Sequence, residues 1–362
     1  MRILHLLPHL SGGGAERQFS YLAPELARRG HETHAAYSAD GPNRPELPGV
    51  HLHRLKSVSN YDPWLLWQVV RLIRKIKPDV MQSWTLQMCI IGGIAAKITG
   101  VPWLFREASS PFGCRQNWKT RWRTKMAPNA SAIVSNSQGG DYYWAAKAPM
   151  VRRYVVPNGL PLDDIDHASV CVPANVPTGD RPLVLGVGRL VKGKRWDALL
   201  QALPDVNRKL SVCCALCGTG SERHTLERQA AALGLDNTVV FTGHLSANAV
   251  WGLMKSAAVF VSLSAYEGCP NVVQEAMACG CPLVVSDISA HREILDEQSA
   301  LFVDPSDGRQ AADALLEALR DREAAKDRAI NAKRRTEAWS ISLLAQRYLQ
   351  AYETILHERS RL

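Results

Sequence analysis

The stretch from residue 258 to residue 287 constrains the fold of this chain more than any other. Ala258–Val261 is a short apolar run of the kind found in a buried parallel strand. A loop containing Gly268 follows it, and Asn271 is predicted to be the N-cap of a helix that ends at Gly280. A second apolar run comes directly afterwards. This order of strand, helix and strand indicates an α/β domain.

Two acidic residues flank the start of that predicted helix. Glu267 lies in the loop and Glu275 lies in the first turns of the helix, with seven residues between them. Free backbone N–H groups at a helix start favour a phosphate. Both carboxylates can then accept hydrogen bonds from hydroxyls on either side of a diphosphate, as a sugar nucleotide would present them. The alternative is that both acids are ordinary solvated residues at a helix end.

A similar arrangement opens the chain. Arg2–Leu7 predicts a first strand, and a glycine run that includes Gly13 and Gly14 separates it from a helix. A glycine run at this point lets a ligand approach the backbone closely. The helix is predicted from apolar residues at positions i, i+3, i+4 and i+7, and Gly30 is expected to end it. The apolar residues are Phe19, Leu22, Ala23 and Leu26.

Length and composition fit a protein of two domains. The 362 residues are 46% hydrophobic and 21% charged, which is ordinary for a globular protein with substantial cores. No apolar run reaches the roughly 18 residues of a membrane span. Cys214 and Cys217 have the spacing of a redox or zinc pair, but they adjoin an apolar run, so we expect a buried structural thiol cluster.

The charge is distributed unevenly. The whole net charge of +9 belongs to residues 1–170, whereas residues 171–362 contain equal numbers of basic and acidic side chains. Such asymmetry suggests that the first domain faces an anionic partner, which could be a membrane surface, nucleic acid or an acidic acceptor.

Three motifs together resemble a known family. The segment E-G-C-P-N-V-V-Q-E-A-M-A-C-G-C-P-L-V-V, which begins at Glu267, is similar to the E-x7-E signature of retaining glycosyltransferases of family 4. Gly13-Gly14-Ala15-Glu16-Arg17 resembles the family's N-terminal G-G-A-E-R element. Gly188-Arg189-Leu190, with Lys194 after it, resembles the family's G-R-L…K element.

The resemblance implies the GT-B fold, in which two Rossmann-like parallel-sheet domains face a central cleft. It implies an acceptor domain over residues 1–165 and a nucleotide-sugar donor domain over residues 172–335. Residues 336–362 are expected to form a helix that returns to the first domain.

The resemblance also implies roles for individual residues. Catalysis is expected from Glu267, Arg189 and Lys194, with the two cations on the donor diphosphate and Glu267 on sugar hydroxyls. A guanidinium and an ammonium at a strand end suit this task, because they neutralise the charge that develops on the leaving nucleotide. Glu275 is expected on the ribose. The other expected donor contacts are Gly13, Gly14, Gly188, His244, Gly268, Asn271, Val272 and Val273.

The implied reaction is a retaining, metal-independent transfer of a hexosyl or N-acetylhexosaminyl group from a nucleotide diphosphate sugar, with UDP as the expected nucleotide. The expected acceptor is lipid-linked or a polysaccharide of the cell surface, such as lipopolysaccharide or capsule. No cofactor or metal is expected, and no nucleic acid partner. Asp164 and Asp166 have the D-x-D spacing of metal-dependent sugar transferases, but they fall in a predicted linker.

Residues 106–126 depart from the regular pattern. No acid occurs among residues 108–126, which contain Arg115, Lys119, Arg121, Arg123 and Lys125. Cys114, Trp118, Trp122 and Met126 recur every four residues, so a helix here would carry one apolar, largely aromatic stripe. Tryptophan beside cations favours a membrane–water interface, and we predict membrane contact through Trp118, Trp122, Arg121 and Arg123. The alternatives are a domain-packing helix with a basic rim and a nucleic-acid surface. With membrane contact, the enzyme would be cytoplasmic and peripheral on the inner face of the cell membrane.

Acceptor recognition is the least constrained part of the prediction. Many family members carry a histidine after the N-domain strand near the acceptor, whereas this chain has Arg106 and Glu107 there, and both are candidate acceptor contacts. Two other functions remain open. One is a sugar-nucleotide-binding protein without catalysis, and the other is a sugar-nucleotide epimerase of the same GT-B architecture.

Overall fold

The computed structural model describes residues 1–10, 13–41, 44–57, 62–107, 117–174, 176 and 178–361. The chain divides into two compact units. Unit 1 comprises Met1–Gly159 together with Trp339–Leu362, and unit 2 comprises Leu160–Ala338. Each unit has its own parallel sheet and its own hydrophobic core.

The sheet of unit 1 has seven strands. They are β1 (Arg2–Leu10), β2 (Glu32–Asp40), β3 (Val50–Arg54), β4 (Val80–Ser83), β5 (Trp103–Glu107), β6 (Ala132–Ser135) and β7 (Arg152–Val155). They pair in the order β3-β2-β1-β4-β5-β6-β7, and every pairing is parallel. In the register, Ile3 of β1 pairs with Thr33 of β2 and with Val80 of β4. β4 and β5 are buried throughout and β1 is buried from Ile3 to Pro8, as expected of a parallel sheet that helices cover on both faces.

Five helices follow the strands of unit 1 in order. They are α1 (Gly14–Arg28), α2 (Pro63–Ile76), α3 (Leu86–Thr99), α4 (Trp118–Met126) and α5 (Gln138–Lys147). The four apolar residues that predicted α1 are fully buried, which confirms that helix and its inward face. Residues from α2, α3 and α5 share the core on the opposite face of the sheet from α1.

The sheet of unit 2 has six strands. They are β8 (Leu183–Val187), β9 (Cys213–Cys217), β10 (Val239–Gly243), β11 (Val259–Ser262), β12 (Leu283–Ser286) and β13 (Leu301–Val303). They pair in the order β10-β9-β8-β11-β12-β13, again entirely in parallel. The reversal of direction on either side of β8 makes its carboxyl end a topological switch point, where open α/β sheets bind ligands. Cys214 and Cys217 are buried in β9, and burial raises the pKa of the Cys217 thiol to about 11.

The helices of unit 2 are α6 (Leu162–His167), α7 (Trp196–Lys209), α8 (Arg223–Ala232), α9 (Ala247–Ser256), α10 (Asn271–Ala278), α11 (Ser289–Arg292), α12 (Gly308–Arg320) and α13 (Arg322–Thr336). The last helix, α14 (Ile341–Arg359), belongs to unit 1 and packs on α1. Its buried residues include Tyr348 and Tyr352. Across the described residues, no helix combines the length and the apolar character that crossing a bilayer requires.

One predicted detail of α10 is wrong. Asn271 is the first residue of the helix, and Pro270 occupies the N-cap position. The Pro270 carbonyl accepts the backbone N–H groups of Val273 and Gln274, each at 3.0 Å, so the helix begins one residue earlier than the sequence indicated.

Candidate functional site

Two loops after neighbouring strands carry the charged residues of unit 2. The loop after β8 contains Arg189 and Lys194, and the loop after β11 contains Glu267. Because β8 and β11 pair in parallel, with Leu185 opposite Phe260, their carboxyl ends lie at the same edge of the sheet. The sheet therefore brings together residues that are 73 positions apart in the sequence.

Lys194 and Glu267 form an ion pair at this edge. The Lys194 ammonium donates to Glu267 Oε1, and the two side chains are only 17% and 14% exposed. Ser264 Oγ donates to the same oxygen at 2.7 Å. No described residue donates a hydrogen bond to Oε2. Glu267 is thus held through one carboxylate oxygen, and the other remains available to accept from a ligand hydroxyl.

A buried set of polar groups supports the Glu267 loop from behind. Ser286 Oγ donates to the Ser264 carbonyl oxygen at 2.6 Å. His291 is fully buried, and its Nδ1 lies 2.8 Å from the Ser286 carbonyl oxygen, so Nδ1 carries the proton. Burial lowers the pKa of His291, and the imidazole is therefore neutral at neutral pH. Sequence reasoning missed all three residues; the only local signal was a serine three positions before Glu267.

Arg189 presents its side chain to solvent. Its carbonyl oxygen accepts from the indole of Trp196 at 3.0 Å, which holds the backbone, whereas its guanidinium has no ion-pair or hydrogen-bond partner among the described residues. Gly188 has a φ of +155°, and a Cβ there would lie 3.3 Å from the Trp196 ring and 3.5 Å from Lys194 Cε. The Trp196 ring therefore leaves little room for a side chain at this position, whose backbone conformation also favours glycine.

The start of α10 offers one open backbone donor. The Val273 N–H donates to Pro270, and the Asn271 N–H donates to the Cys269 carbonyl at 2.9 Å. The Val272 N–H has no acceptor among the described residues. Val272 and Val273 were both expected donor contacts, and among the described residues only the Val272 amide is thus open to a phosphate. Gly268 lies in the same loop and is partly buried.

Glu275 is not a solvated residue at a helix end. Its side chain is buried, and its Oε2 accepts from the indole of Trp251 in α9 at 3.1 Å. Glu275 therefore faces α9, whereas Glu267 faces the loop after β8. His244 is exposed just beyond β10, the edge strand of the sheet. Lys194 and Glu267 are thus in direct contact, whereas Glu275 and His244 face other parts of unit 2.

The chain matches two family models, one in each half. The model described as "Glycosyl transferases group 1" matches residues 173–335, and the model described as "Glycosyltransferase Family 4" matches residues 12–164. A 2-deoxystreptamine N-acetyl-D-glucosaminyltransferase of Streptomyces fradiae is 30% identical, with 86% of this chain and 84% of that protein covered. The chain belongs to the GT-B glycosyltransferases.

Other relatives of this glycosyltransferase agree with the assignment. The lipopolysaccharide core biosynthesis glycosyltransferase LpsD of Rhizobium meliloti (strain 1021) is 28% identical over 91% of this chain and 90% of its own length. The crystal structure of Anabaena Alr3699/HepE in complex with UDP and glucose superposes with a TM-score of 0.82 at 21% identity, covering 98% of this chain and 100% of that one. That likeness supports the fold.

In unit 1 of the glycosyltransferase, Gly13 and Gly14 open α1 as predicted. The Glu16 side chain lies beside Gly13, so that a Cβ on Gly13 would be 2.3 Å from Glu16 Oε2. Glu16 Oε1 is also 3.3 Å from His9 Nε2. A carboxylate therefore occupies the space beside Gly13 in this structure.

The two candidate acceptor contacts are both buried in unit 1. Glu107 Oε2 accepts from Arg123 at 2.8 Å and from the Trp144 indole at 3.0 Å, and the Glu107 and Arg123 side chains are each 4% exposed. The prediction that Glu107 contacts the acceptor, and the prediction that Arg123 contacts a membrane, are therefore wrong. The two residues were predicted separately from their local sequence, and only the fold pairs them.

Arg106 is also buried, with 2% of its surface exposed. It donates to Asn158 and lies 5.0 Å from the centre of the Trp84 ring. The structure thus places Arg106 in the core instead of at a surface where an acceptor would bind.

The rest of the predicted membrane segment is only partly described. Trp118, Trp122 and Arg121 are exposed on α4, as the prediction required. Cys114 and Arg115 lie outside the described residues.

The D-x-D pair falls in α6. Asp166 forms an ion pair with Lys333 of α13 at 2.9 Å. Within the described residues, no group of three His, Cys, Asp or Glu side chains lies close enough together to hold a metal ion.

Proposed function

We propose that this glycosyltransferase transfers a hexosyl or N-acetylhexosaminyl group from UDP-sugar to a lipid-linked or polysaccharide acceptor of the cell surface, with retention of anomeric configuration and without a metal. The observation that carries the proposal is the Lys194–Glu267 pair, whose free carboxylate oxygen is available to a ligand hydroxyl. The exposed Arg189 guanidinium and the open Val272 N–H add two donors for phosphate oxygens.

The proposed division of labour follows from these groups. Glu267 orients the sugar by accepting from its hydroxyls, and Glu275 accepts from the ribose. Arg189 and Lys194 neutralise the negative charge that grows on the leaving diphosphate. Gly13 and Gly14 are proposed to contact the same diphosphate, Gly188, Gly268 and Asn271 to line its site, and His244 to contact the base. Residues 172–335 would then be the donor domain, and residues 1–165 with the terminal helix the acceptor domain.

Retention is best explained by front-face substitution. In this mechanism the departing phosphate oxygen takes the proton from the acceptor hydroxyl while the new glycosidic bond forms on the face that the nucleotide leaves. The only carboxylate assigned to the sugar, Glu267, is engaged by Lys194 and Ser264, which suits hydrogen bonding better than nucleophilic attack. Exclusion of water would suppress donor hydrolysis.

The names of relatives bear on the substrates. LpsD and LpsE of Rhizobium meliloti are named for lipopolysaccharide core biosynthesis. A GDP-mannose-dependent mannosyltransferase of Mycolicibacterium smegmatis is 34% identical over 40% of this chain. UDP is preferred here because the superposed HepE structure contains it. Membrane contact through α4, on the inner face of the cell membrane, is part of the proposal.

The first experiment measures thermal stabilisation by UDP-glucose, UDP-N-acetylglucosamine, GDP-mannose and ADP-glucose. A ligand at about 100 times its Kd should add about 2.7 kcal/mol to the free energy of unfolding. We expect a UDP-sugar to raise the melting temperature most. If none of the four compounds raised the melting temperature, the proposed donor class would be contradicted.

The second experiment changes Glu267 to Ala. We expect loss of sugar transfer by about a hundredfold or more, with UDP binding and the circular dichroism spectrum retained. Glu323→Ala, at an exposed acid in the first turn of α13, is the matched control and should leave transfer unchanged. Undiminished transfer by the Glu267 variant would refute its assignment. A β-linked product from an α-linked donor, read by NMR, would refute retention.

A further inference from the structure

Three helices of unit 1 form a continuous outer layer that the proposed transfer reaction does not use. α3 packs against α2 on one side and against α4 on the other. Buried residues of α2 and α3, such as Leu65 and Met88, pack on the same face of the sheet. The outward surface of the three helices is called here the α2–α4 face.

The outward stripe of α2 is aromatic at its start and basic at its end. Trp64, Trp67, Arg71 and Arg74 follow one another at intervals of three, four and three residues, so they share one side of the helix. Trp64 and Trp67 are 52% and 46% exposed, and their rings stack with centroids 4.2 Å apart and planes 15° from parallel. The Arg71 guanidinium lies 5.3 Å from the centre of the Trp67 ring. Stacking therefore holds two large apolar rings at the surface.

α4 repeats this combination. Trp118 and Trp122 are 55% and 45% exposed and lie four residues apart, on one side of the helix. The Lys119 ammonium lies 5.8 Å from the Trp118 ring centre, and that of Lys125 lies 5.4 Å from the Trp122 ring centre. Each tryptophan of α4 thus has a cation beside it.

Between them, α3 contributes apolar surface. Ile90 and Ile94 are partly exposed one turn apart, and Ile98 is 52% exposed one turn further on. None of the three helices contains an Asp or a Glu. The exposed cations of the face are Arg71, Arg74, Lys75, Lys97, Arg121 and Lys125.

A lipid bilayer matches this chemistry better than a protein partner. Tryptophan concentrates at the level of lipid headgroups, and Lys and Arg gain from the negative surface potential of anionic lipids. Protein interfaces are depleted in Lys, whereas half of the exposed cations here are Lys. A face without acids would also meet no repulsion from anionic lipid.

We propose that the α2–α4 face docks flat on an anionic bilayer, with Trp64–Trp67 and Trp118–Trp122 as two separate anchors. This inference extends the membrane contact of the proposed function, which used α4 alone, but it does not depend on sugar transfer. Both anchors lie at the starts of their helices, and helices that follow parallel strands start at the carboxyl edge of the sheet. That edge is where α/β domains bind ligands, so docking would bring lipid-linked molecules to it.

The test is co-sedimentation of the full chain with phosphatidylcholine vesicles that contain about 30% phosphatidylglycerol, which gives them a negative surface potential, or none. We expect binding to the anionic vesicles only. Trp64→Ala with Trp67→Ala should weaken it by about tenfold or more, and so should Trp118→Ala with Trp122→Ala. Arg74→Gln with Lys75→Gln should weaken vesicle binding by about 25-fold at low salt, because each removed cation should lower the affinity about fivefold.

The controls remove similar groups elsewhere. Leu343→Ala deletes an exposed apolar side chain of α14, on the opposite face of the sheet, and Lys326→Gln with Arg334→Gln deletes two exposed cations of α13. Both should bind like the unchanged protein. If the α2 tryptophan variant binds within twofold of the unchanged protein while the α4 variant is weakened, the two-anchor inference is overturned and the α4 contact stands. If the unchanged protein fails to bind anionic vesicles, both membrane statements are wrong, whatever the transfer assay shows.

Discussion

Acid should destabilise unit 1 through one buried histidine. His5 lies in β1 with no exposed surface, between the rings of Phe19 and Trp84 at 5.3 and 6.0 Å. The Trp84 indole donates to its Nδ1 at 3.2 Å, so Nε2 carries the proton of the neutral ring. No described residue accepts from Nε2. Burial, with a smaller repulsion from His34, lowers the pKa of His5 to about 3.

The sign follows from the difference between the folded and unfolded states. An unfolded histidine has a pKa of about 6.5, so between pH 6.5 and pH 3 the unfolded state binds a proton that the folded state does not. Stability must therefore fall as the pH is lowered through this window. From pH 7 to pH 5 the loss is about 2 kcal/mol, since each pH unit below 6.5 costs about 1.36 kcal/mol. A total stability of 5–15 kcal/mol is typical of a domain, so this loss would be readily measurable.

The measurement is a urea titration at pH 7.0 and pH 5.0, read by hydrogen exchange in peptides from β1 and β4, which reports on unit 1. His5→Gln is the test variant, because a neutral amide can still accept from Trp84 and does not titrate. His357→Gln, at an exposed position of α14, is the control. The loss of stability between the two pH values should be about 2 kcal/mol smaller for His5→Gln than for the unchanged protein and the control.

The reasoning fails if His5→Gln loses as much stability on acidification as the unchanged protein. Other buried histidines would then account for any acid sensitivity, or the fold would admit water to the His5 ring. A lower stability of His5→Gln at pH 7 alone would not bear on the matter, since it reports packing and not titration.

Two further perturbations test the packing of each unit. Arg123→Met should lower the free energy of unfolding of unit 1, measured in urea, by about 3–5 kcal/mol, because it leaves the Glu107 carboxylate buried without its cation. Adding Glu107→Leu should recover much of that loss. Equal stability of the single variant and the unchanged protein would show that the pair is not buried. Gly218→Ala should destabilise unit 2 and abolish thermal stabilisation by UDP-glucose, because a Cβ there would lie 2.0 Å from the Gly188 carbonyl oxygen at a φ of +144°. Gly308→Ala, where a Cβ meets only ordinary contacts, is its control, and similar melting temperatures for the two variants would contradict the expectation.

The strands and helices at the site followed from local patterns. The apolar run before Glu267 is β11, and the helix predicted after it is α10. Such elements depend on the periodicity of a few neighbouring residues, which the sequence displays directly. The exact start of α10 was not predicted correctly from the sequence, since Pro270 occupies the N-cap position predicted for Asn271. Element ends depend on which carbonyl accepts the first free amides, and that choice is settled by geometry.

The ion-pair and hydrogen-bond partners of the polar residues could not be predicted from local sequence patterns. The run of cations before Met126 showed no acid nearby, yet Arg123 pairs with Glu107, sixteen positions back on β5. Trp251 reaches Glu275 across 24 positions, and Tyr352 donates to Gln82 across 270. Of the cations in α4, Arg123 faces the core and Arg121 faces solvent, although the same local sequence surrounds both.

The sequence by itself determined the two-part α/β architecture, the glycine loops and the spacing of Glu267 and Glu275, because these depend on residue type and on contacts within one strand or one helical turn. Only the tertiary structure decided that Lys194 meets Glu267, that Glu107 and Arg123 are buried together, and that the tryptophans of α2 and α4 lie on one outer layer. Each of these arrangements depends on which segments the sheet order places side by side. The free energy of burying a charge or a ring is set by those neighbours, which lie far away in the chain.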